Sequence, residues 1–333
     1  MTTTSTIAPQ ETAGTRADVA VRIDPRTGVR EEVRFFGPDR LKMFGCLHLP
    51  AGDPVGGVVI CSSIQAEFLK NLRREVLLGR ALSQRGIAAV RWHYRGAGNS
   101  DGSSEDMTFD TMHADTEAAT RLLQDATGVK QLAFAGTRWG GLVAATVAAG
   151  HPGAPLALWE PAADSSRYFR EVFRSRQIRE LKEGSQEASS SSNLVDELNE
   201  SGTLDVLGYS IDKPLYDSAQ GHTLAAGLGD GTRPILLIQI GRNKTLRGEY
   251  RKLVTHWEET GSSVSTHVVE EELAWWFAGE HWQPEERRPM AQRLIAETVD
   301  WVAAQFEGAG RARPDRNTDA GRARPDRREE EAV

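Results

Sequence analysis

Leu132-Ala133-Phe134-Ala135 runs without a polar break into Gly136-Thr137-Arg138-Trp139-Gly140-Gly141, and the chain continues as the alanine-rich stretch Leu142 to Ala149. The first four residues have the short, wholly apolar character of a strand buried on both faces. The last stretch is long enough and rich enough in alanine for a helix over Gly140 to Ala149. Between them lies a turn with small residues at its crowded positions. This spacing follows G-x-S-x-G, a strand–turn–helix that forces its central residue to the tip, above the sheet and beside a helix N-terminus. The central residue here is Arg138.

Working outward, the same alternation of short β-rich and longer helical runs recurs, as in a mostly parallel sheet covered on both faces. Glu31 to Phe36 and Leu41 to His48 alternate apolar and polar residues around Gly37-Pro38-Asp39, which predicts an antiparallel hairpin at one edge. Gly57 to Cys61, Ala88 to Trp92, Leu156 to Trp159, Ile235 to Ile240 and Val264 to Val269 predict the remaining strands. Helices are expected over Lys70 to Arg85, Phe109 to Thr127, Leu246 to Thr260 and Glu285 to Phe306. The fold expected is therefore α/β, with eight strands and helices on both faces.

The alternation fails between Pro161 and Arg233, too long for an ordinary connection. An inserted cap over residues 161–233 is the natural reading, with a helix near Tyr168 to Leu181. It would lie at the carboxyl ends of the strands, where open α/β sheets bind ligands. Residues 26–160 and 234–307 then form the core. Residues 1–25 are loose by composition, and 308–333 repeat GRARPDR at Gly310 to Arg316 and Gly321 to Arg327. That charged tail has too little apolar surface to offset its chain entropy and is expected to be disordered.

Composition narrows the function. Among 333 residues, 40 Lys+Arg against 47 Asp+Glu leave a net charge of -7, which argues against a partner bound by neutralising nucleic-acid phosphates. No apolar run approaches the roughly 18 residues of a membrane span, and Met1 to Ala20 lacks the apolar segment of a secretory signal. A cytoplasmic protein with neither a nucleic-acid nor a membrane partner is expected. Cys46 and Cys61 sit in apolar runs as reduced thiols, so no metal site is expected. Gly96-Ala97-Gly98 lacks the third glycine and the helix placement of a dinucleotide fingerprint, and no P-loop occurs, so no cofactor is expected.

Several further landmarks agree with the turn at Arg138. Ala66-Glu67-Phe68-x-x-Asn71-x-Arg73-Arg74 precedes a helix, and His93-Tyr94-Arg95-Gly96-Ala97-Gly98-Asn99-Ser100-Asp101-Gly102 follows a strand. Together they resemble the α/β-hydrolase superfamily: the loop after its third strand, and its D-x-x-G-x-G-x-S turn with His93 where Asp is commoner. Leu158-Trp159-Glu160-Pro161, Gly208-Tyr209 and Gly279-Glu280-His281-Trp282 are similar to a branch called exosortase-associated hydrolases, which also carries Arg at the elbow. The resemblance spans about Phe35 to Phe306. It implies an α/β-hydrolase fold with a cap, and a setting in secondary metabolism or polysaccharide export.

Carried over position by position, the resemblance exposes a degenerate Ser-acid-His triad. Arg138 stands at the nucleophile position, remains protonated and cannot attack a carbonyl. Gly241-Arg242-Asn243-Lys244 supplies no carboxylate at the usual acid position, and only the histidine position is filled, by His281. Glu160, at a strand end, is an alternative acid. With His281 it would form a carboxylate-oriented base that activates water or abstracts a proton; otherwise it caps a strand or pairs with an arginine. Arg138 would hold an anionic group or an oxyanion, or else plug the site by pairing with Glu67, Glu160 or another acid.

Ser62 and Ser63 follow the third strand, where an oxyanion-hole loop is placed, and with Glu67, His93, Trp139 and Trp282 they complete the expected substrate-binding set. Asp101 and Asp115 read as turn and surface acids. Trp275, Trp276, Phe277, Trp159, Tyr168, Phe169 and Phe173 would line an aromatic pocket or pack the cap on the sheet. Three functions follow. One is an esterase- or thioesterase-like hydrolase of a carbonyl substrate working without an elbow serine. The second is a non-catalytic pseudoenzyme that binds an acidic ligand or partner. The third is a cofactor-free lyase or cyclase.

Overall fold

The computed structural model describes residues 20–38, 41–182, 191–229, 231–270 and 291–311. The chain opens with β1 (Val21–Ile23), β2 (Arg30–Phe36), β3 (Met43–Leu49) and β4 (Gly57–Cys61), followed by α1 (Gln65–Gln84), β5 (Ala88–Trp92), α2 (Phe109–Thr127), β6 (Leu132–Thr137), α3 (Trp139–Ala148) and β7 (Leu156–Trp159). It then leaves the sheet for α4 (Ser165–Lys182), α5 (Ser191–Ser201), the hairpin β8 (Thr203–Val206) and β9 (Tyr209–Asp212), α6 (Lys213–Ser218) and α7 (Leu224–Gly227). It returns through β10 (Pro234–Ile240), α8 (Gly248–Glu259), β11 (Ser263–Val269) and α9 (Gln292–Arg311).

Among the described residues, nine strands share one sheet in the order β1-β2-β3-β5-β4-β6-β7-β10-β11. The ninth is β1, which pairs antiparallel with β2 through Val21 opposite Glu32 and Ile23 opposite Arg30. Composition alone assigns this segment to the loose N-terminus. It is fixed by its ladder to β2 and by Arg22, whose guanidinium reaches Glu31 at 2.6 Å. From β5 to β11 every neighbouring pair is parallel. Because β5 lies on one side of β4 and β6 on the other, the strand order reverses at β4. The crevice at the carboxyl ends of β4 and β6 is thus the switch point where open sheets place ligands.

Side-chain alternation sends the sheet's apolar residues into two layers. One layer joins Val59, Phe134, Leu156 and Leu158 to α2, α3, α8 and the helices that precede β10. The other joins Val58, Ala133, Ala157 and Trp159 to Leu78 and Leu82 of α1 and to Leu294, Val299 and Phe306 of α9. Trp159 therefore belongs to the face opposite α4, where its Nε1 donates to Thr298 Oγ1 at 2.8 Å. This corrects its expected place near the cap: Trp159 has the parity of Ala157, not of Leu158.

The strand–turn–helix at Arg138 requires its glycines for close approach. A Cβ on Gly140 would stand 2.1 Å from the Cys61 carbonyl oxygen, and one on Gly136 would stand 2.4 Å from the Gly140 carbonyl oxygen. Both obstacles are backbone, which cannot rotate away as a flexible side chain can. Gly140→Ala is expected to cost about 3 kcal/mol, read as a lowered urea midpoint; an unchanged midpoint would mean that α3 is free to back away from β4.

The segment between β7 and β10 packs through aromatics. Tyr168 and Phe169 of α4 lie 4.8 and 5.4 Å from the Trp139 ring, and Phe169 lies 5.0 Å from Tyr216 of α6. Its hairpin turns at Leu207 and Gly208, both at positive φ as a two-residue type I′ connection demands. No helix among the described residues is long and apolar enough to cross a membrane.

Candidate functional site

Arg138 sits at the tip between β6 and α3 with φ 52 and ψ -117, a conformation that non-glycine residues adopt only when their surroundings hold them there. Its backbone is tied on both sides. The N–H donates to the Trp159 carbonyl at 3.0 Å, and the carbonyl accepts from Ala162 and Gly141, each at 3.1 Å. The side chain is buried. Its Nε donates to Glu67 Oε1 at 3.1 Å, and its Nη2 donates to Glu171 Oε2 at 2.8 Å.

The two acids differ in kind. Glu67, in the first turn of α1, is itself buried and also accepts from the Ser63 hydroxyl at 2.6 Å and the Tyr168 hydroxyl at 3.2 Å. Glu171, on α4, has a side chain 40% exposed. Burial works against the charge on Arg138, but the carboxylates of Glu67 and Glu171 outweigh it and hold the guanidinium above its ordinary value. Glu171 shows the converse: burial raises its carboxyl, and Arg138 overcomes this to leave it lowered.

From Arg138 an alternating series of charges runs outward across four parts of the chain. Glu171 Oε1 accepts from Arg167 Nε at 3.1 Å, and Arg167 also pairs with Glu249. Arg247 lies between Glu249, 3.9 Å away, and Glu160, which it contacts directly. Glu160 closes the series at the end of β7, buried, with φ 45, its Oε2 accepting from the Ile240 N–H at 2.7 Å. Arg247 also lies over the Tyr250 ring, and burial pushes the Tyr250 phenol up to about 12. The cleft lined by Arg138, Asp164, Arg167, Glu171, Arg247 and Glu249 has a cavity volume of about 10 Å³, no more than a single water needs.

The expected site residues divide accordingly. Arg138, Glu67 and Glu160 meet at this junction, with Arg138 Nη1 3.5 Å from the Glu160 carbonyl oxygen. Ser63 supports Glu67 from behind. Ser62 turns the other way, donating to the buried Glu75 at 2.6 Å, where burial, opposed by this hydrogen bond, raises the Glu75 carboxyl to about 7. His93 is a loop-closing residue: its Nδ1 accepts from the Asn99 N–H at 3.0 Å, its ring packs against Phe44 and Phe68, and burial lowers it to about 4. It does not line the cavity beside Arg138.

Trp139 is a correction. It is fully buried, with Nε1 on Met112 Sδ at 3.3 Å, because the first residue of α3 turns its side chain down into the layer beneath α4. It offers no surface to a substrate. Asp115 is another correction, since it is fully buried and held by Arg95 at 2.6 Å instead of facing solvent. His281 and Trp282, with Trp275, Trp276 and Phe277, lie outside the described residues.

Arg167, Glu171, Arg247 and Glu249 were not singled out by sequence. Arg167 and Glu171 carry a local signal, an i, i+4 pair on one face of α4. Arg247 and Glu249 open α8 just beyond the stretch where the usual acid was sought.

The sheet order with its reversal at β4, the turn at Arg138 on the neighbouring β6, and the helical segment laid over the strand ends define an α/β-hydrolase fold. Residues 70–194 match the model of a family described as serine aminopeptidase, S33. Among solved structures, the chain is similar to Est1E of Butyrivibrio proteoclasticus with ferulic acid bound, at 16% identity and TM-score 0.56, covering 82% of this chain and 99% of that one. It is similar also to the S-formylglutathione hydrolase of Agrobacterium tumefaciens, at 14% identity and TM-score 0.52, over 87% and 99% of the two chains. The proline iminopeptidase of Mycobacterium smegmatis gives 13% identity and TM-score 0.51, over 83% and 99%. No curated protein matches the chain in sequence.

Proposed function

We propose that this chain is a hydrolase-like protein that forms no acyl-enzyme at its elbow and uses that position to bind an anionic group. The observation that carries the reading is Arg138 at the tip of the turn, with Glu67 at 3.1 Å and Glu171 at 2.8 Å. A guanidinium has no nucleophilic lone pair at neutral pH. Its fork, set between carboxylates beside a helix N-terminus, is built to hold oxygens of negative charge. The serine aminopeptidase match and the esterase neighbours support the location, the switch-point crevice where this fold handles its ligands.

The hydrolytic alternative, in which Glu160 orients His281 to activate water, is favoured by the family match. It is disfavoured by the state of Glu160, whose two oxygens are engaged by Arg247 and by the Ile240 N–H. The sequence resemblance to exosortase-associated hydrolases would accord with an arginine at the elbow and adds no chemistry to it. Turnover of short-chain p-nitrophenyl esters and thioesters separates the two. The binding reading predicts rates for the wild type equal to those of His281→Ala. Turnover lost on His281→Ala, with the variant still folded, would establish the hydrolytic alternative instead.

A further inference from the structure

The series of charges has strong and weak members, and their arrangement suggests what kind of ligand the site takes. The inner acids are fixed. Glu67 is buried and accepts from Arg138, Ser63 and Tyr168; Glu160 is buried and accepts from the Ile240 N–H and pairs with Arg247. Glu67 neutralises the buried Arg138, and Glu160 the half-exposed Arg247. Glu171 is different: its side chain is 40% exposed, it stands on the segment inserted between β7 and β10, and it holds one arginine with each oxygen, Arg138 at 2.8 Å and Arg167 at 3.1 Å.

A carboxylate bridging two guanidiniums in this way is geometrically what a ligand's carboxylate would be. We infer that Glu171 is a built-in stand-in, and that the site takes a small carboxylic acid whose carboxylate displaces Glu171 and bridges Arg138 and Arg167 in its place. The inference rests on the anion-binding reading above and gives it a ligand class.

Charge and space both favour an exchange over an addition. With Glu171 in place, the arginines 138, 167 and 247 face the acids 67, 160, 164, 171 and 249, so a further anion would enter a site that already carries excess negative charge. Moving Glu171 out to solvent and one carboxylate in leaves the balance unchanged. The cavity of about 10 Å³ likewise has no room for a carboxylate until the Glu171 side chain leaves. The pair of Glu171 with Arg167, 40% and 44% exposed, is weakly held, whereas the buried pairing of Arg138 with Glu67 remains through the exchange. The planar pair of oxygens, one to each arginine, selects a carboxylate.

The test is calorimetric titration of the full chain with sodium acetate, butyrate, benzoate and succinate, with phosphate and chloride as controls at constant ionic strength. The wild type is expected to bind at least one carboxylate saturably and with preference over phosphate. Glu171→Ala, which removes the competing occupant, should bind it about tenfold more tightly. Arg167→Ala, at a half-exposed position that leaves Arg138 paired with Glu67, should bind it about tenfold more weakly. Binding by Glu171→Ala alone would overturn the inference, since Glu171 would then be a permanent plug. Equal affinities of wild type and Glu171→Ala, or a preference for phosphate, would overturn it as well. None of these results touches the absence of an acyl-enzyme, which ester turnover tests separately.

Discussion

Arg138→Met is expected to destabilise the fold by about 3–5 kcal/mol, because it leaves the buried Glu67 carboxylate without its counter-charge. The long apolar side chain fills much of the same volume, so the loss measures charge more than packing. Glu67→Gln in the same chain should restore a large part of it. A double-mutant cycle should then give a coupling of about 2 kcal/mol between the two sites. Glu171→Ala, which removes the half-exposed partner of the same guanidinium, should cost at most about 1 kcal/mol. Denaturant titration of the four variants reads all of this. A neutral Arg138→Met would mean that Glu67 is balanced by something other than Arg138. A costly Glu171→Ala would contradict the division into an inner, fixed partner and an outer, exchangeable one.

Glu75 gives the second large effect. Buried in α1 with Ser62 as its hydrogen-bond donor, it is raised from 4.5 to about 7, burial outweighing that hydrogen bond and the influence of Arg91. The folded protein therefore keeps this proton at pH values where the unfolded chain has released it. Stability should be unaffected by Glu75 below the unfolded value of 4.5, fall as pH rises towards about 7, and level off above it. The accumulated penalty is about 3 kcal/mol. Glu75→Gln, neutral at every pH, should match the wild type near pH 4 and exceed it by about that amount near pH 8. Unfolding free energies across that range decide the matter: parallel curves for the two proteins would mean that Glu75 is ionised in the fold.

The core of the architecture is legible in the sequence because its signals are local. The runs over Gly57 to Cys61, Ala88 to Trp92 and Leu156 to Trp159 are the strands observed, residue for residue. The turn at Arg138 is legible from small residues whose replacement the backbone forbids. Helix α2 carries its own boundaries, with Thr108 accepting from the Thr111 N–H at its start and Gly128 in the left-handed conformation at its end.

The site is legible only in part, and the reason is distance along the chain. Arg138, Glu67 and Glu160 are each marked by their place in a motif. Arg167, Glu171, Arg247 and Glu249 are not, since pairing Glu171 with Arg138 and Glu249 with Arg167 depends on how α4 and α8 settle over the strand ends. No spacing encodes that. The face taken by Trp159 was readable from strand parity, whereas the burial of Trp139 depends on Tyr168 and Phe169, which arrive later in the chain to cover it.

The reading stands on the claim that a permanently charged arginine, tied to buried Glu67, occupies the place of a nucleophile. Intact-protein mass measurement after exposure to a fluorophosphonate tests this most directly. The wild type should keep its mass. An adduct, whether mapped to the turn at 136–140 or to Ser62 or Ser63, would contradict it.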